Sequence, residues 1–334
     1  MTTAHRAATW FVVCLVLLAV IALASLVLGT QPLAPAAVFH ALAHPHGTGQ
    51  AERIVNGLRL PRTVVGLVAG AALGMAGAVM QGVTRNPLAD PGLLGVNAGA
   101  ALAVVAAITF FGVSTASGYI WFAFAGAAVA AVVVYAVGAA GPSGATPVKL
   151  ALAGAALTAV LTSLVTLVLL SHSSVFQQFR FWQLGSVDGR PLRDVALVAP
   201  FAAVGAVLAV IGGRMLNVLG LGDDVARGLG QNVALARGLC ALAVVLLAGA
   251  ATSIAGPLVF VGLVATHLAR RLCGHDYRWI VLLSAAIGPG LLLSADVAGR
   301  FLAPPGELEA GVVVAVIGAP VLIALVRSPR LVSA

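Results

Sequence analysis

The sequence repeats one feature that severely restricts the possible folds, a long run without a charged side chain. The run from Thr63 to Gly82 is an example. At about 1.5 Å per residue, a helix of about twenty residues spans the roughly 30 Å hydrocarbon core of a bilayer. Ten apolar runs occur, at about 7–28, 63–82, 91–112, 119–140, 150–170, 195–213, 238–253, 258–268, 279–295 and 310–326. The sequence therefore predicts an all-α integral membrane protein with about ten transmembrane helices.

Composition favours one membrane domain over the whole chain. Charged residues make up 8% of the 334 residues, whereas they make up about 25% of a typical soluble domain. We predict a single transmembrane domain, 1–334, with approximate halves 1–190 and 191–334. The net charge of +8 rests on few charged residues, so it does not indicate nucleic-acid binding, and we expect none.

The cysteines and histidines decide whether a metal site is expected. The three cysteines are scattered, without disulfide or metal-ligand spacing. His40, His44 and His46 lie close together in HALAHPH, but the sequence shows no cysteine or carboxylate partner near them. A metal site is the alternative there, and a solvated loop within 30–57 is the prediction. We expect no metal ligands and no catalytic residues.

The loops give the predicted topology. Ten crossings place both termini on one side, and alternate loops put eleven of the 18 lysines and arginines, Arg330 included, on that side. The positive-inside rule then places both termini in the cytoplasm. We also predict a turn at 141–144 and a polar loop at 295–309 with a break at Pro304-Pro305.

Two segments suggest an internal repeat. LVAGAALGMAG (67–77) and LLAGAATSIAG (246–256) match at seven of eleven positions. The second run would then correspond to the seventh, five crossings later. An odd offset predicts inverted five-helix repeats, a common plan in transporters. Chance similarity between two alanine- and glycine-rich helices is the alternative.

The runs contain no Asp, Glu, Lys or Arg as drawn, although ion-coupled carriers usually bury such groups along their pathway. The sequence also lacks the Gly-Lys-Ser/Thr of a P-loop, since Lys149, the single lysine, follows Val148. If transport is active, the energy comes from another subunit. Because the longest polar segment on the predicted inner side is 214–233, we expect the energy-supplying subunit to dock there.

Within this segment, Asp223 and Asp224 lie at the predicted start of a short helix, where the helix dipole favours carboxylates. Ala226, Leu229 and Gly230 are expected to form a small apolar face. On the predicted outer side, Arg59, Arg62 and Arg300 suit carboxylates of a partner protein or an anionic ligand. Ordinary snorkelling at the membrane interface is the alternative for these arginines.

Several separated motifs occur in order along the chain, namely LRLPR (58–62), NPLADPGLLG (86–95), WQLGS (182–186), LGDDVARGLG (221–230), AGPLVFVGLVATHLARR (255–271), ADVAGR (295–300) and the GELEAG-containing segment 306–327. Together they resemble the FecCD-type permease family, the membrane subunits of ATP-binding-cassette (ABC) importers for iron–siderophores, haem and cobalamin. The likeness extends over nearly the whole chain and implies the type II ABC importer permease fold.

The resemblance implies partners. These are a second permease subunit, identical or homologous, two cytoplasmic ATPase subunits and an extracellular solute-binding protein. ATP and Mg would be bound by the ATPases, and no cofactor by this chain. Ferric siderophore is the expected cargo, with haem or cobalamin as alternatives. An ion-coupled secondary carrier and a membrane scaffold without a transport role are alternatives from other classes.

The resemblance also assigns roles to residues. Arg59, Arg62 and Arg300 would receive glutamates of the binding protein. Asn86 and Leu88 would belong to the cytoplasmic gate, and the fifth helix would line the pathway. The family commonly has proline where this chain has Thr266, which leaves a local kink open. ATPase coupling would fall on residues within 219–230, namely Leu219, Gly220, Leu221, Gly222, Asp223, Asp224, Ala226, Leu229 and Gly230.

Overall fold

The computed structural model describes residues 3–140, 146–303 and 306–327, and these residues form helices and their connections. The predicted turn at 141–144, the Pro304-Pro305 break and Arg330 lie outside these ranges. The helices are α1 (Thr3–Val27), α2 (Pro35–Ala43), α3 (Gln50–Ile54), α4 (Leu60–Thr84), α5 (Val96–Phe111), α6 (Ala116–Ala139), α7 (Pro147–Ser171), α8 (Ser173–Gln183), α9 (Leu192–Leu219), α10 (Asp223–Gly228), α11 (Val233–Ala255), α12 (Val261–Cys273), α13 (Tyr277–Leu302) and α14 (Ala310–Arg327). The predicted all-α class is confirmed.

Each predicted run overlaps one α-helix, in the predicted order. Within the described ranges, seven helical segments are long and apolar enough to cross a membrane, namely α1, Gln50–Thr84, α6, α7, α9, α11 and α13. Shorter apolar helices, α5 and α14, contain two further runs. The remaining helix, α12, has 13 residues and begins after a non-helical connection at 256–260. Thr266 donates to the Gly262 carbonyl inside α12, and the helix is continuous there.

The core lies around α4, which packs against α9, α11, α12 and α13. Glycine permits this close approach. A Cβ atom at Gly70 would lie 2.5 Å from Pro289 of α13, and one at Gly77 would lie 2.6 Å from the Gly262 backbone of α12. Helices that approach at small residues gain backbone van der Waals contact in a membrane.

The packing also supports the proposed repeat. Gly249 of α11 is equivalent to Gly70 in the aligned segments and lies against Phe124 of α6. Five crossings separate α6, the fourth, from α13, the ninth. Equivalent glycines therefore face equivalent helices in the two halves, and the helices that carry them, α4 and α11, pack against each other.

Several predicted boundaries are wrong. The polar loop at 295–309 is helical as far as Leu302, because Asp296 and Arg300 form an i, i+4 pair that keeps both charges satisfied inside α13. Arg62 likewise lies within α4. The transmembrane helices therefore contain charged residues that the predicted runs, as drawn, left outside. Loop 30–57 contains α2, α3 and a π-helical turn at Val55–Arg59, which continues into α4.

The histidine segment also differs from its prediction. His40 and His44 stack on α2 with ring centroids 4.2 Å apart. Glu52 lies 3.3 Å from Nδ1 of His40, so a carboxylate partner does exist. Among the described residues, no group of three or more histidine, cysteine, aspartate or glutamate side chains has metal-binding geometry.

Candidate functional site

Five charged side chains meet at one end of the helix bundle. We call this group the outer ion cluster, after its predicted side of the membrane, and it consists of Arg59, Arg62, Asp296, Arg300 and Glu307. The π-helical turn and α4 supply Arg59 and Arg62, while α13 supplies Asp296 and Arg300. The segment before α14 supplies Glu307.

Asp296 is the centre of the outer ion cluster and is 1% exposed. It accepts hydrogen bonds from Nε of Arg62 at 2.8 Å and from Arg300 at 2.6 Å. Arg62 also donates to Glu307 at 2.6 Å and lies 3.6 Å from Asp188. A buried carboxylate with two guanidinium partners satisfies charges that would otherwise be very costly to desolvate.

The other arginine contacts fix α1. Arg59 donates to the carbonyls of Leu26 and Val27 at 2.9 and 2.7 Å, and Arg300 donates to that of Ser25 at 2.7 Å. The last carbonyls of a helix have no partner within the helix, and its C-terminal end favours cations. Two arginines from other helices therefore cap the end of α1.

The structure thus brings the three predicted docking arginines together. Arg59, Arg62 and Arg300 are only 6%, 8% and 3% exposed, and each bonds to groups of its own chain. Solvent-facing snorkelling does not describe them, and their docking role stays a prediction. Sequence reasoning missed Asp296 and Glu307 as their partners. The i, i+4 spacing of the Asp and Arg in ADVAGR was a signal that could have identified the first.

A second group lies at the opposite end of α4. We call it the inner ion cluster, and it consists of Arg85, Asp223 and Arg237. Asp223, the first residue of α10, accepts from Arg85 and, at 3.0 Å, from Arg237 of α11. Arg85 follows the last residue of α4 with φ of 50°, a conformation that non-glycine residues seldom adopt. One carboxylate thus joins α10, α11 and the end of α4.

The predicted gate residues lie directly after Arg85. The side-chain oxygen of Asn86 accepts from the Leu88 amide at 2.9 Å, which forms an Asx turn. Asp90 accepts from the Gly92 amide at 2.9 Å and caps the 3₁₀ turn that precedes α5. Burial raises the pKa of the Asp90 carboxyl to about 6, and the bond from Gly92 acts against this shift.

The predicted docking segment, 219–230, has the expected break. α9 ends at Leu219, Gly220 to Gly222 form the connection, and α10 follows. Gly222 and Gly230 have φ of 109° and 82°, so glycine is required at both ends of α10.

The predicted apolar face of this segment is wrong in part. Ala226 is fully buried against the protein, whereas Leu229 is exposed. The exposed apolar side chains are Leu221 in the connection before α10, Val225 within α10 and Leu229 directly after it. The predicted face grouped Ala226 and Gly230 with Leu229, and it therefore did not include Val225.

One face of α7 is uncovered. It borders a groove of about 880 Å³ whose lining includes Gly154, Thr158, Thr162 and Thr166. Hydroxyl groups at this spacing form a stripe along the helix. Thr166 donates to the Thr162 carbonyl at 2.9 Å, so its hydroxyl has a partner within α7. A membrane helix with an uncovered stripe of small and hydroxyl side chains is suited to a pathway or to a second subunit.

Comparisons with known proteins agree with this architecture. The profile of the FecCD transport family matches residues 17–328. The chain belongs to the FecCD transport family. It is 48% identical over 316 residues to the ferric enterobactin transport system permease protein FepD of Escherichia coli, covering 94% of this chain and 93% of that protein. The resemblance inferred from the motifs is confirmed.

Two further relatives cover the chain as fully. The probable siderophore transport system permease protein YfiZ of Bacillus subtilis is 42% identical over 320 residues, 95% of this chain and 96% of that protein. A solved inward-facing conformation of a metal-chelate type ABC transporter superposes with a TM-score of 0.82 at 25% identity. That match covers 96% of this chain and 99% of the solved chain. The FecCD-family chain is therefore a multi-pass membrane protein of the predicted fold.

Proposed function

We propose that this chain is the permease subunit of an ABC importer that moves ferric siderophore across the cytoplasmic membrane. The observation that carries the proposal is the match over more than nine tenths of both chains to permeases named for ferric enterobactin and siderophore transport. Haem and cobalamin are the alternative cargoes. Transport depends on two ATPase subunits, a second permease and a solute-binding protein outside the cell.

The decisive experiment reconstitutes the permease with its ATPase in proteoliposomes and adds binding protein loaded with ferric siderophore, haem or cobalamin in turn. Ferric siderophore should stimulate ATP hydrolysis and its own uptake most strongly. Greater stimulation by haem or cobalamin would change the proposed cargo, whereas the proposed importer function would stand. Uptake driven by an ion gradient without ATP would support a secondary carrier, and no uptake under any condition would support a scaffold.

The outer ion cluster is proposed to receive carboxylates of the binding protein. Arg59 bonds to carbonyls and has no carboxylate partner among the described residues, so its positive charge is not neutralised. Glu307, whose side chain is 32% exposed, covers Arg62 and would be displaced by an incoming carboxylate. Arg59→Glu should weaken docking at low salt by at least about tenfold, because complementary charges become like charges. Unchanged affinity would reject the contact.

The inner face is proposed to dock the ATPases through Leu221, Val225 and Leu229, with both termini in the cytoplasm. Three exposed apolar side chains on a polar segment are the kind of patch that marks a protein interface. Leu229→Glu should reduce association with the ATPase subunit, measured by co-purification. Undiminished association would mean that the ATPase docks on another surface.

The uncovered face of α7 is proposed to line the pathway beside the second permease subunit. The groove supports this because its lining combines small residues with uncharged hydroxyls. Thr162→Trp should fill the groove and reduce uptake, measured in the same proteoliposomes. Uptake at the wild-type rate would place the pathway elsewhere.

A further inference from the structure

The inner ion cluster connects two regions to which the family resemblance assigns separate tasks, namely docking of the ATPases and closure of the cytoplasmic gate. Asp223 lies on the docking segment, and Arg85 lies immediately before the gate residue Asn86. The side chains of Arg85 and Asp223 bond directly, although 138 residues separate them in the chain. Asp223 also bonds to Arg237, so the start of α11 holds the same carboxylate.

Asp224 provides an internal comparison. It pairs with Arg227 at 2.9 Å within α10, and its side chain is 99% exposed. Two neighbouring carboxylates on one short helix therefore differ in their exposure and in their partners. Asp223 reaches other elements of the fold, whereas Asp224 bonds only within its own helix among the described residues.

We propose that Asp223 is a positioning residue that transmits movement of the docking segment to the cytoplasmic gate through Arg85. The inference rests on the proposed function, because it requires an ATPase on the docking segment. When α10 is displaced, the charged hydrogen bond pulls on the end of α4 and changes the turn that contains Asn86 and Leu88. Charge-assisted bonds of this kind are stronger and more directional than neutral ones.

The test measures ATP hydrolysis and cargo uptake in the same proteoliposomes, with the complete transporter. Asp223→Asn should lower the cargo moved per ATP by about tenfold, and this loss should exceed that of Asp224→Asn by about fivefold. The swapped variant Asp223→Arg with Arg85→Asp should recover part of the ratio, and only part because Arg237 then loses its carboxylate partner.

Two results would overturn this inference. One is a wild-type ratio of cargo to ATP in Asp223→Asn, and the other is an equal loss in Asp223→Asn and Asp224→Asn. Failure of the proposed function looks different, because the wild-type complex itself would then show no cargo-stimulated ATP hydrolysis.

An independent observation concerns α1, which packs against α12 and α13. The three helices border a groove of about 330 Å³ whose lining is almost entirely apolar. Along α1 the groove extends from Trp10 to Ile21. The eleven steps between these residues, at about 1.5 Å each, make about 16 Å, roughly half the hydrocarbon thickness. The groove therefore has the length of one lipid leaflet.

Two arginines lie at the Trp10 end of this groove. Arg6 precedes Trp10 by one helical turn, and Arg271 is next to Leu272, which lines the groove. Both arginines are exposed, and neither has an ion-pair partner in the part of the chain that the structure describes. Basic residues between helices on the cytoplasmic side attract anionic headgroups.

We infer that this groove binds an anionic phospholipid, with one acyl chain between α1 and α13 and the phosphate at Arg6 and Arg271. The groove is apolar and one leaflet long, which suits an acyl chain. The two arginines, which have no ion-pair partner among the described residues, suit an anionic headgroup. The inference does not depend on the cargo or on the ATPase.

Fluorescence of Trp10 tests the inference. The transporter is reconstituted in phosphatidylcholine with a small fraction of either brominated phosphatidylglycerol or brominated phosphatidylcholine, and quenching is compared in the wild type and Trp10→Phe. The brominated anionic lipid should quench Trp10 with at least roughly fivefold higher apparent affinity. Arg6→Gln with Arg271→Gln should abolish that preference. Equal quenching by both lipids, or a preference unchanged in the double variant, would overturn the site.

Discussion

The outer and inner ion clusters use the same side-chain chemistry in opposite surroundings. In the outer ion cluster, Asp296 is 1% exposed and holds two buried arginines. In the inner ion cluster, the Asp223 and Arg85 side chains are 27% and 37% exposed. Breaking a buried pair leaves an uncompensated charge, whereas an exposed pair is replaced by water at little cost.

This difference separates a fixed part of the molecule from an adjustable one. The outer ion cluster joins α1, α4 and α13 through contacts that water could replace only with a large loss of stability. The inner ion cluster joins α10, α11 and the end of α4 through side chains that water can reach. The same type of bond therefore gives rigidity at one end and a reversible connection at the other.

The largest expected effect follows from removing the buried carboxylate. Asp296→Asn should destabilise the protein by about 3–5 kcal/mol, because Arg62 and Arg300 lose their shared anion in a buried site. Thermal unfolding of the purified protein in detergent measures the loss. Asp188→Asn is the matched control, because Asp188 also lies near Arg62 but its side chain is 50% exposed. Equal shifts in the two variants would remove the distinction between the clusters.

The sequence predicted the ten helices because uncharged length alone determines which segments can lie in a bilayer. It failed where a charge is neutralised by a distant partner. Asp296 and Arg62 are 234 residues apart in the chain, so the i, i+4 spacing of Asp296 and Arg300 is the local indication that α13 continues past Ala295. The three arginines of the outer ion cluster were identified from their motifs. Their partners, and the link between Arg85 and Asp223, depend on packing among α1, α4, α11 and α13.

An intermediate effect is expected at Asp90, the inner carboxyl whose pKa is raised to about 6. A raised folded-state pKa means that the folded protein binds the proton more tightly than the unfolded chain. The stabilisation is complete below the unfolded value near 4 and is lost as the pH rises through about 6. The wild type should therefore be less stable at pH 8 than at pH 5, and Asp90→Asn should reduce that difference. An unchanged pH profile of the melting temperature in Asp90→Asn would show that the inner end has no buried titrating carboxyl.

The smallest expected effect on stability lies at the rim of the outer ion cluster, where Glu307 is partly exposed and bonds to Arg62. Glu307→Gln should change the free energy of unfolding by less than about 1 kcal/mol, because Asp296 still holds the guanidinium. The same variant should raise the affinity for the binding protein severalfold at low salt, since an incoming carboxylate no longer competes with Glu307 for Arg62. Binding at several salt concentrations measures this gain, which should shrink as salt screens the charges. A large loss of stability would mean that Glu307 is as important to the fold as Asp296. An unchanged affinity would mean that the outer ion cluster stabilises helix packing and does not bind the binding protein.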